Sequence, residues 1–319
     1  MIRLSTADPS PVTEPGAGTV EDWRLLDSTY NFISWEEYIS LVSSFLSFFG
    51  LVGNGIVLWF LGFKIKRNKF TVYILNLAMS DFLFLLGSSL LLILYSVSMW
   101  IYFLDVPHTI YKILNILYLF GYNTNQYLLT AISTERCFSI LYPIWYHCQR
   151  PKHQSTILCA ILWALASLVT AIEYFLCSDF FFSWNPTMET NHCLAVSIFL
   201  CILTFLVFTP IMVTSSLMLL IKVQKSSRRR QPSKLYVIIV VTVALFLTFS
   251  LPFRVLLFIE YYYQKYFQDI VICIFLLSII SSCINPVLYF YLGNRSRQRT
   301  TRSFKEALQQ VFKDETIMS

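Results

Sequence analysis

The stretch Leu128-Leu129-Thr130-Ala131-Ile132-Ser133-Thr134-Glu135-Arg136-Cys137-Phe138-Ser139-Ile140-Leu141-Tyr142-Pro143-Ile144-Trp145-Tyr146 decides the fold. It places an acid and a guanidinium side by side, Glu135 and Arg136, at the end of an apolar run that begins near Ile110. A charge at membrane depth costs at least ~2.5 kcal/mol on insertion scales, so such residues usually face a bundle interior and have a task there. Arg136 could instead snorkel to the headgroups, as basic residues at helix ends do. Six more apolar runs with polar groups of their own favour the first reading.

Working outward, the composition agrees. Of 319 residues, 56% are hydrophobic and 13% charged, and the mean hydropathy is +0.61. Soluble domains carry about a quarter charged residues. Seven segments are each long enough for a spanning helix of about 20 residues: roughly 41–63, 72–95, 110–141, 156–176, 194–223, 235–261 and 270–292. They are continuous, whereas a membrane β-barrel needs short alternating segments. The fold class is therefore an all-α, seven-transmembrane helix bundle.

Basic residues set the orientation. Lys64, Lys66, Arg67 and Lys69, then Arg150 and Lys152, then the run from Lys222 to Lys234, then six in the tail, all fall on one side. The positive-inside rule makes that side cytosolic and puts the N-terminus outside. The outer side is acidic through Asp22, Asp27, Glu36, Glu37, Asp105, Asp179, Glu189 and Asp269. Residues 1–38 read as an extracellular tail without a signal peptide, 39–293 as the membrane domain and 294–319 as a cytoplasmic tail. In that tail Phe304, Leu308, Val311 and Phe312 share one helical face among basic residues, the pattern of an amphipathic helix on inner-leaflet lipid.

Polar residues punctuate the spans. Helix 1 carries Asn54, and a lone Asn there usually makes an interhelical hydrogen bond. Helix 2 carries Asp81, a mid-span carboxylate that points to a function or an ion partner. Helix 3 is polar in its middle, with Tyr118, Tyr122, Asn123, Asn125 and Gln126. Glu173, near the outer end of helix 4, is either solvated or lines a cavity. Pro210, Pro252 and Pro286 kink helices 5, 6 and 7. Of eight cysteines, Cys177 and Cys193 fall in an outer loop, where the compartment is oxidising. A disulfide between them closes a loop of ~15 residues, worth about 3 kcal/mol on the chain-entropy model.

This ordered set (Asn54, Asp81, Glu135-Arg136, Trp163, Pro210, Pro252 and Asn285-Pro286-Val287-Leu288-Tyr289) resembles the rhodopsin-like G-protein-coupled receptors along nearly the whole chain. Three runs are similar to the Mas-related group: Gly53–Gly62 with Arg67-Asn68, Ala131–Trp145, and Arg150-Pro151-Lys152. Phe120-Gly121-Tyr122-Asn123-Thr124 is nearer the Mas branch. The departures are specific. Tyr111 stands where most of the superfamily has the cysteine that staples helix 3. Ser250 replaces the usual tryptophan two residues before Pro252, Tyr118 the aspartate that holds amines, and Met218 a tyrosine in helix 5.

The resemblance implies a receptor, not an enzyme, that passes binding of an extracellular peptide or small cationic ligand to a heterotrimeric G protein. Its partners are that ligand, the G protein and membrane lipid; no nucleic acid is expected. Helix 6 would pivot near Pro252, and Arg136 would leave Glu135 to meet the Gα C-terminal helix, with Asn285, Pro286 and Tyr289 in the activation relay. Asn54, Asp81, Asn125, Ser282 and Asn285 resemble the family's sodium-responsive cluster; a protonated, hydrogen-bonded Asp81 without an ion is the alternative. No other cofactor is implied. Glu173 is matched to an acid associated with cationic ligands; Ser197 stands where a second such acid is sometimes found, and Tyr118 is a further candidate ligand-binding residue. Arg254 either holds a ligand carboxylate or pairs with Glu173 and neutralises it. A peptide bearing both a basic group and a carboxylate satisfies the first arrangement. A retinal protein would need a lysine in the last helix, which has none. A seven-helix transporter or channel-like protein is the remaining alternative, although no internal repeat supports it.

Overall fold

The computed structural model describes residues 35–65, 68–100, 107–151, 153–182, 190–226, 234–263 and 268–294. Seven long helices account for nearly all of them. They are α1 (Trp35–Lys64), α2 (Thr71–Trp100), α3 (His108–Leu141), α4 (Gln154–Phe182), α5 (190–226), α6 (234–263) and α7 (Gln268–Asn294). A short helix, Pro143–Cys148, lies between α3 and α4. Six of the seven are apolar enough to cross a membrane by length and composition; α3 is diluted by the polar residues of its middle. The amphipathic tail helix expected over 295–313 lies outside the described residues.

Local chemistry sets the helix ends. α1 begins at Trp35, inside the stretch read as tail, and Glu36 and Glu37 in its first turn complement the positive end of the helix dipole. Asn68 caps α2: its Oδ1 accepts from the backbone N–H of Phe70 (3.0 Å) and Thr71 (2.7 Å). α5 and α6 each contain a π-helical segment, Leu203–Phe208 and Phe246–Ser250, ending just before Pro210 and Pro252. The looser turn accommodates a residue that has no N–H to donate and whose ring crowds the preceding carbonyls.

α3 is the central helix, packed against α2, α4, α5 and α6. Two glycines let α2 and α3 approach. A Cβ on Gly87 would sit 2.7 Å from the Tyr118 backbone nitrogen, and one on Gly121 would sit 2.5 Å from that of Phe84. Trp163 on α4 donates its indole N–H to Asn76 Oδ1 on α2 (2.8 Å). Cys177 and Cys193 are joined, their Cα atoms 4.8 Å apart, tying the end of α4 to the start of α5. Outer and inner below follow the basic-residue asymmetry of the sequence.

Candidate functional site

At the outer end, α1, α2, α3, α6 and α7 enclose a cavity of about 420 Å3. On α6 its lining residues are Phe253, Leu257 and Glu260, spaced i, i+4, i+7 and therefore on one face. α3 contributes Tyr111, Asn115 and Tyr118, and α2 contributes Tyr95. Deep in it Tyr118 stands edge-on to Phe253 and Phe275, with centroids 6.0 and 5.3 Å away. Tyr111, standing where a staple cysteine is usual, is thus a cavity residue. So is Tyr118.

Glu173 and Arg254 are elsewhere. One residue past Phe253, the Arg254 side chain leaves α6 about 100° round from the cavity face. Its Nη1 donates to Glu173 Oε1 at 2.7 Å, and both side chains are 2% exposed. Its Nη2 donates to Asn123 Oδ1 (2.6 Å), and Asn123 Nδ2 donates to Thr170 Oγ1 (3.1 Å). The guanidinium also faces the Tyr122 ring, 5.5 Å from its centroid. So the acid and base expected to hold a zwitterionic peptide meet each other, inside a network linking α3, α4 and α6. Of the two arrangements open in the sequence, the structure has the paired one. Ser197 is buried too, and neither it nor the pair lines the cavity.

Tyr122 joins the two regions. Its ring lies 5.3 Å from that of Phe253, and its hydroxyl donates to the backbone carbonyl of Ser250 (3.0 Å), in the π segment that leads into Pro252. Ser250 lacks the bulk of the usual tryptophan, and Phe253 supplies an aromatic contact from the next turn.

At mid-depth Asp81 is wholly buried. Asn125 Nδ2 donates to its Oδ1 (2.5 Å) and Asn285 Nδ2 to its Oδ2 (2.7 Å), joining α2, α3 and α7. Asn54 Nδ2 donates to the carbonyls of Gly50 (3.0 Å) and Ser282 (3.3 Å). The cluster expected from the sequence is therefore assembled. Two of its acceptors, Asn54 Oδ1 and Asn285 Oδ1, are buried without a donor. One carboxylate with orphaned amide oxygens suits a weakly held monovalent ion. Among the described residues no group of three or more His, Cys, Asp or Glu could hold a metal.

At the inner end the expected pair is not formed. Glu135 Oε2 is bridged by Arg150 Nη2 at 2.9 Å, while its Oε1 accepts from the Tyr73 hydroxyl at 3.1 Å and, marginally, from Gln154 at 3.5 Å. Arg136 instead lies over Phe70, 3.8 Å from the ring centroid. Adjacent side chains on a helix do not face one another, and Arg150 reaches Glu135 directly from the α3–α4 connection. Arg150 is held in turn by Ser155 Oγ (2.7 Å) and the Tyr146 ring (4.8 Å). Of the relay residues, Asn285 and Tyr289 are buried and Pro286 lies within α7.

The sequence reading missed Glu260 and Arg150. Glu260 lines the cavity; its spacing from Phe253 is the signal available in the sequence. In the sequence Arg150 reads as an inner basic residue and as part of the Arg150-Pro151-Lys152 run, with no signal that it meets Glu135.

A membrane bundle with an outer cavity, a mid-span acid cluster and a buried arginine at its inner end is the architecture of a receptor. Residues 53–289 match the family model of the 7 transmembrane receptor (rhodopsin family). The chain is 47% identical over 83% of its length to proto-oncogene Mas of Rattus norvegicus, covering 81% of that protein. It is 47% identical over its whole length to Mas-related G-protein coupled receptor member H of Mus musculus, covering 94% of it. With member X1 of Homo sapiens the identity is 36%, over 91% of this chain and 88% of the relative. The chain belongs to the rhodopsin family of seven-transmembrane receptors and, within it, to the Mas and Mas-related receptors. It is a multi-pass G-protein-coupled receptor of the plasma membrane, and membership carries with it an extracellular ligand and a G protein.

Proposed function

We propose that this receptor, with its N-terminus outside, answers an extracellular peptide or small ligand carrying a basic group. One observation carries the link from ligand to helix 6: Phe253 lines the outer cavity and also packs on Tyr122, whose hydroxyl bonds the α6 backbone at Ser250; the basic group is what the resemblance to the Mas-related receptors implies. A ligand resting on Phe253 acts directly on the helix segment that pivots at Pro252. Ligand that fits the pivoted helix better shifts the population towards it; equal affinity for both states shifts nothing. The inner end then opens, and Arg136, released from Phe70, meets the C-terminal helix of Gα.

Asp81, with Asn54, Asn125, Ser282 and Asn285 around it, would hold a sodium ion in the resting state. The ion would supply the positive charge that keeps Asp81 ionised at mid-membrane. The two orphaned amide oxygens support this.

The test is nucleotide exchange on purified Gα, driven by candidate ligands in membranes that hold this receptor alone. Basic peptides and amines should stimulate it while uncharged isosteres do not. Agonists that prove uniformly neutral or anionic overturn the ligand class.

A further inference from the structure

Three polar groups on the wall of the outer cavity, Tyr95, Tyr118 and Glu260, are already engaged within the protein. Ser40, which lines the cavity from α1, differs. It is 0% exposed, and its hydroxyl has no hydrogen-bond partner. A buried hydroxyl left unpaired is destabilising, and a group that supplies the missing hydrogen bond offsets that. Ser43 and Ser47, on the same face of α1, are orphaned too, but neither lines the cavity.

Deeper in the cavity Tyr118, Phe253 and Phe275 form a cluster of three rings, with centroids 5.3, 5.9 and 6.0 Å apart. α1 and α7 run in the same direction and touch where Gly50 faces Cys283. Counted outward from that contact, Ser40 lies ten residues along α1 and Phe275 eight along α7. At about 1.5 Å per residue these are ~15 and ~12 Å. The orphaned hydroxyl and the ring cluster therefore stand within one turn of the same depth, on the wall of one cavity.

We infer that this cavity holds a phenol of the ligand, its ring packed edge-on with Tyr118, Phe253 and Phe275 and its hydroxyl bonded to Ser40 Oγ. This rests on the reading of the cavity as the agonist's site and adds a second recognition element to the basic group. A serine hydroxyl donates and accepts, as a phenol does, so either partner supplies the proton. Edge-to-face packing is the arrangement aromatic rings prefer, and the cluster already shows it. A volume of about 420 Å3 is at the small end for ligand pockets. It admits one ring and its linker, so the remainder of a peptide stays outside. The phenol belongs to a tyrosine side chain or to a small phenolic amine. Seated on Phe253, it bears on Tyr122 and, through it, on the α6 backbone at Ser250.

Two probe pairs test this on purified full-length receptor in lipid nanodiscs, read as thermal stabilisation over a concentration series. One is N-acetyl-tyrosinamide against N-acetyl-phenylalaninamide; the other is tyramine against phenethylamine. Within each pair only the hydroxyl differs, and the pair that responds identifies a peptide or a small-amine source. In that pair the phenol should half-saturate the wild type at about a tenth of its parent's concentration, the size of one buried hydrogen bond. Ser40→Ala should raise the phenol to its parent's value and leave the parent unchanged. Ser43→Ala, which removes an orphaned hydroxyl away from the cavity, should keep the preference; an effect of α1 packing alone would move both variants. Should Ser40→Ala fold poorly, Leu257→Trp, which fills the cavity, must abolish stabilisation by phenols and parents alike. The inference is overturned if the wild type prefers the phenol in neither pair, or if folded Ser40→Ala retains the preference. It is overturned equally if N-acetyl-tryptophanamide binds through Ser40 and no phenol does. Signalling separates it from the basic-ligand reading. A basic agonist indifferent to its phenol and to Ser40→Ala removes this subsite and leaves the ligand class. A neutral phenol that drives Gα exchange through Ser40 supports the subsite and removes the basic group.

Discussion

Arg254 and Glu173 form an ion pair of 2.7 Å in which neither side chain is more than 2% exposed. Removing one member of such a pair strands the other charge in a low-dielectric interior, at ~3–5 kcal/mol, whereas replacing both by apolar groups of like volume is often neutral. Glu173→Gln and Arg254→Gln should each lower thermal stability and surface expression sharply. Glu173→Leu with Arg254→Met should recover most of the loss, leaving chiefly Asn123 Oδ1 short of a donor. Surface labelling and melting of the four variants check this. Singles that express normally would mean the pair contributes little to the fold.

Cys177 and Cys193, 16 residues apart in sequence, constrain the unfolded chain by about 3 kcal/mol on the loop-entropy model. Cys177→Ser should lose surface expression, with little further loss in Cys177→Ser/Cys193→Ser. Peptide mapping without reductant checks the bond itself, and two free thiols there would refute it.

Much of this was legible in the sequence because membrane helices advertise themselves. Apolar runs of fixed length, three prolines and the order Asn54, Asp81, Arg136, Asn285 suffice for the bundle, and the Asp81 cluster follows because its five members are polar residues within the apolar spans of four helices, Ser282 and Asn285 sharing α7. Side-chain direction was harder. Whether Glu173 faces a ligand or Arg254 depends on the rotation of α4 and α6 about their own axes, which periodicity constrains only loosely when apolar residues surround the helix. Both faces of such helices are buried, one in lipid and one in protein. Glu135 and Arg136 differ from the expectation for another reason: neighbours in sequence on a helix do not face one another, and Arg150, fifteen residues on, has the better line to the carboxylate.

Asp81 should make agonist binding sensitive to sodium. An ion between Asp81 and the orphaned oxygens of Asn54 and Asn285 stabilises the resting state, so rising sodium should weaken agonist affinity and Asp81→Asn should abolish the effect. Replacing sodium by choline at constant ionic strength separates ion binding from screening. If wild type and Asp81→Asn respond alike, Asp81 is protonated and its hydrogen bonds to Asn125 and Asn285 serve the fold alone.

Arg150 should raise ligand-independent signalling. Many relatives restrain the α3 arginine with an acid at the inner end of α6, yet 225–236 contains none. Glu135 is then the local acid available to restrain Arg136, and Arg150 occupies its Oε2 at 2.9 Å. A bridge held from two sides by Ser155 and Tyr146 is pre-organised, so it competes well with Arg136 for the carboxylate. The wild type should therefore show basal nucleotide exchange above that of receptor-free membranes. Arg150→Gln takes the competitor away. Glu135, still buried, would turn to Arg136, and basal exchange should fall towards background at matched surface expression. Arg150→Lys, which keeps the charge but loses the fork that reaches Glu135 and Ser155 together, should fall between. A rise in basal exchange in Arg150→Gln would give the opposite sign: the bridge between Arg150 and Glu135 would then be the restraint, fixing the α3–α4 connection against the inner end of α3 until a ligand releases it.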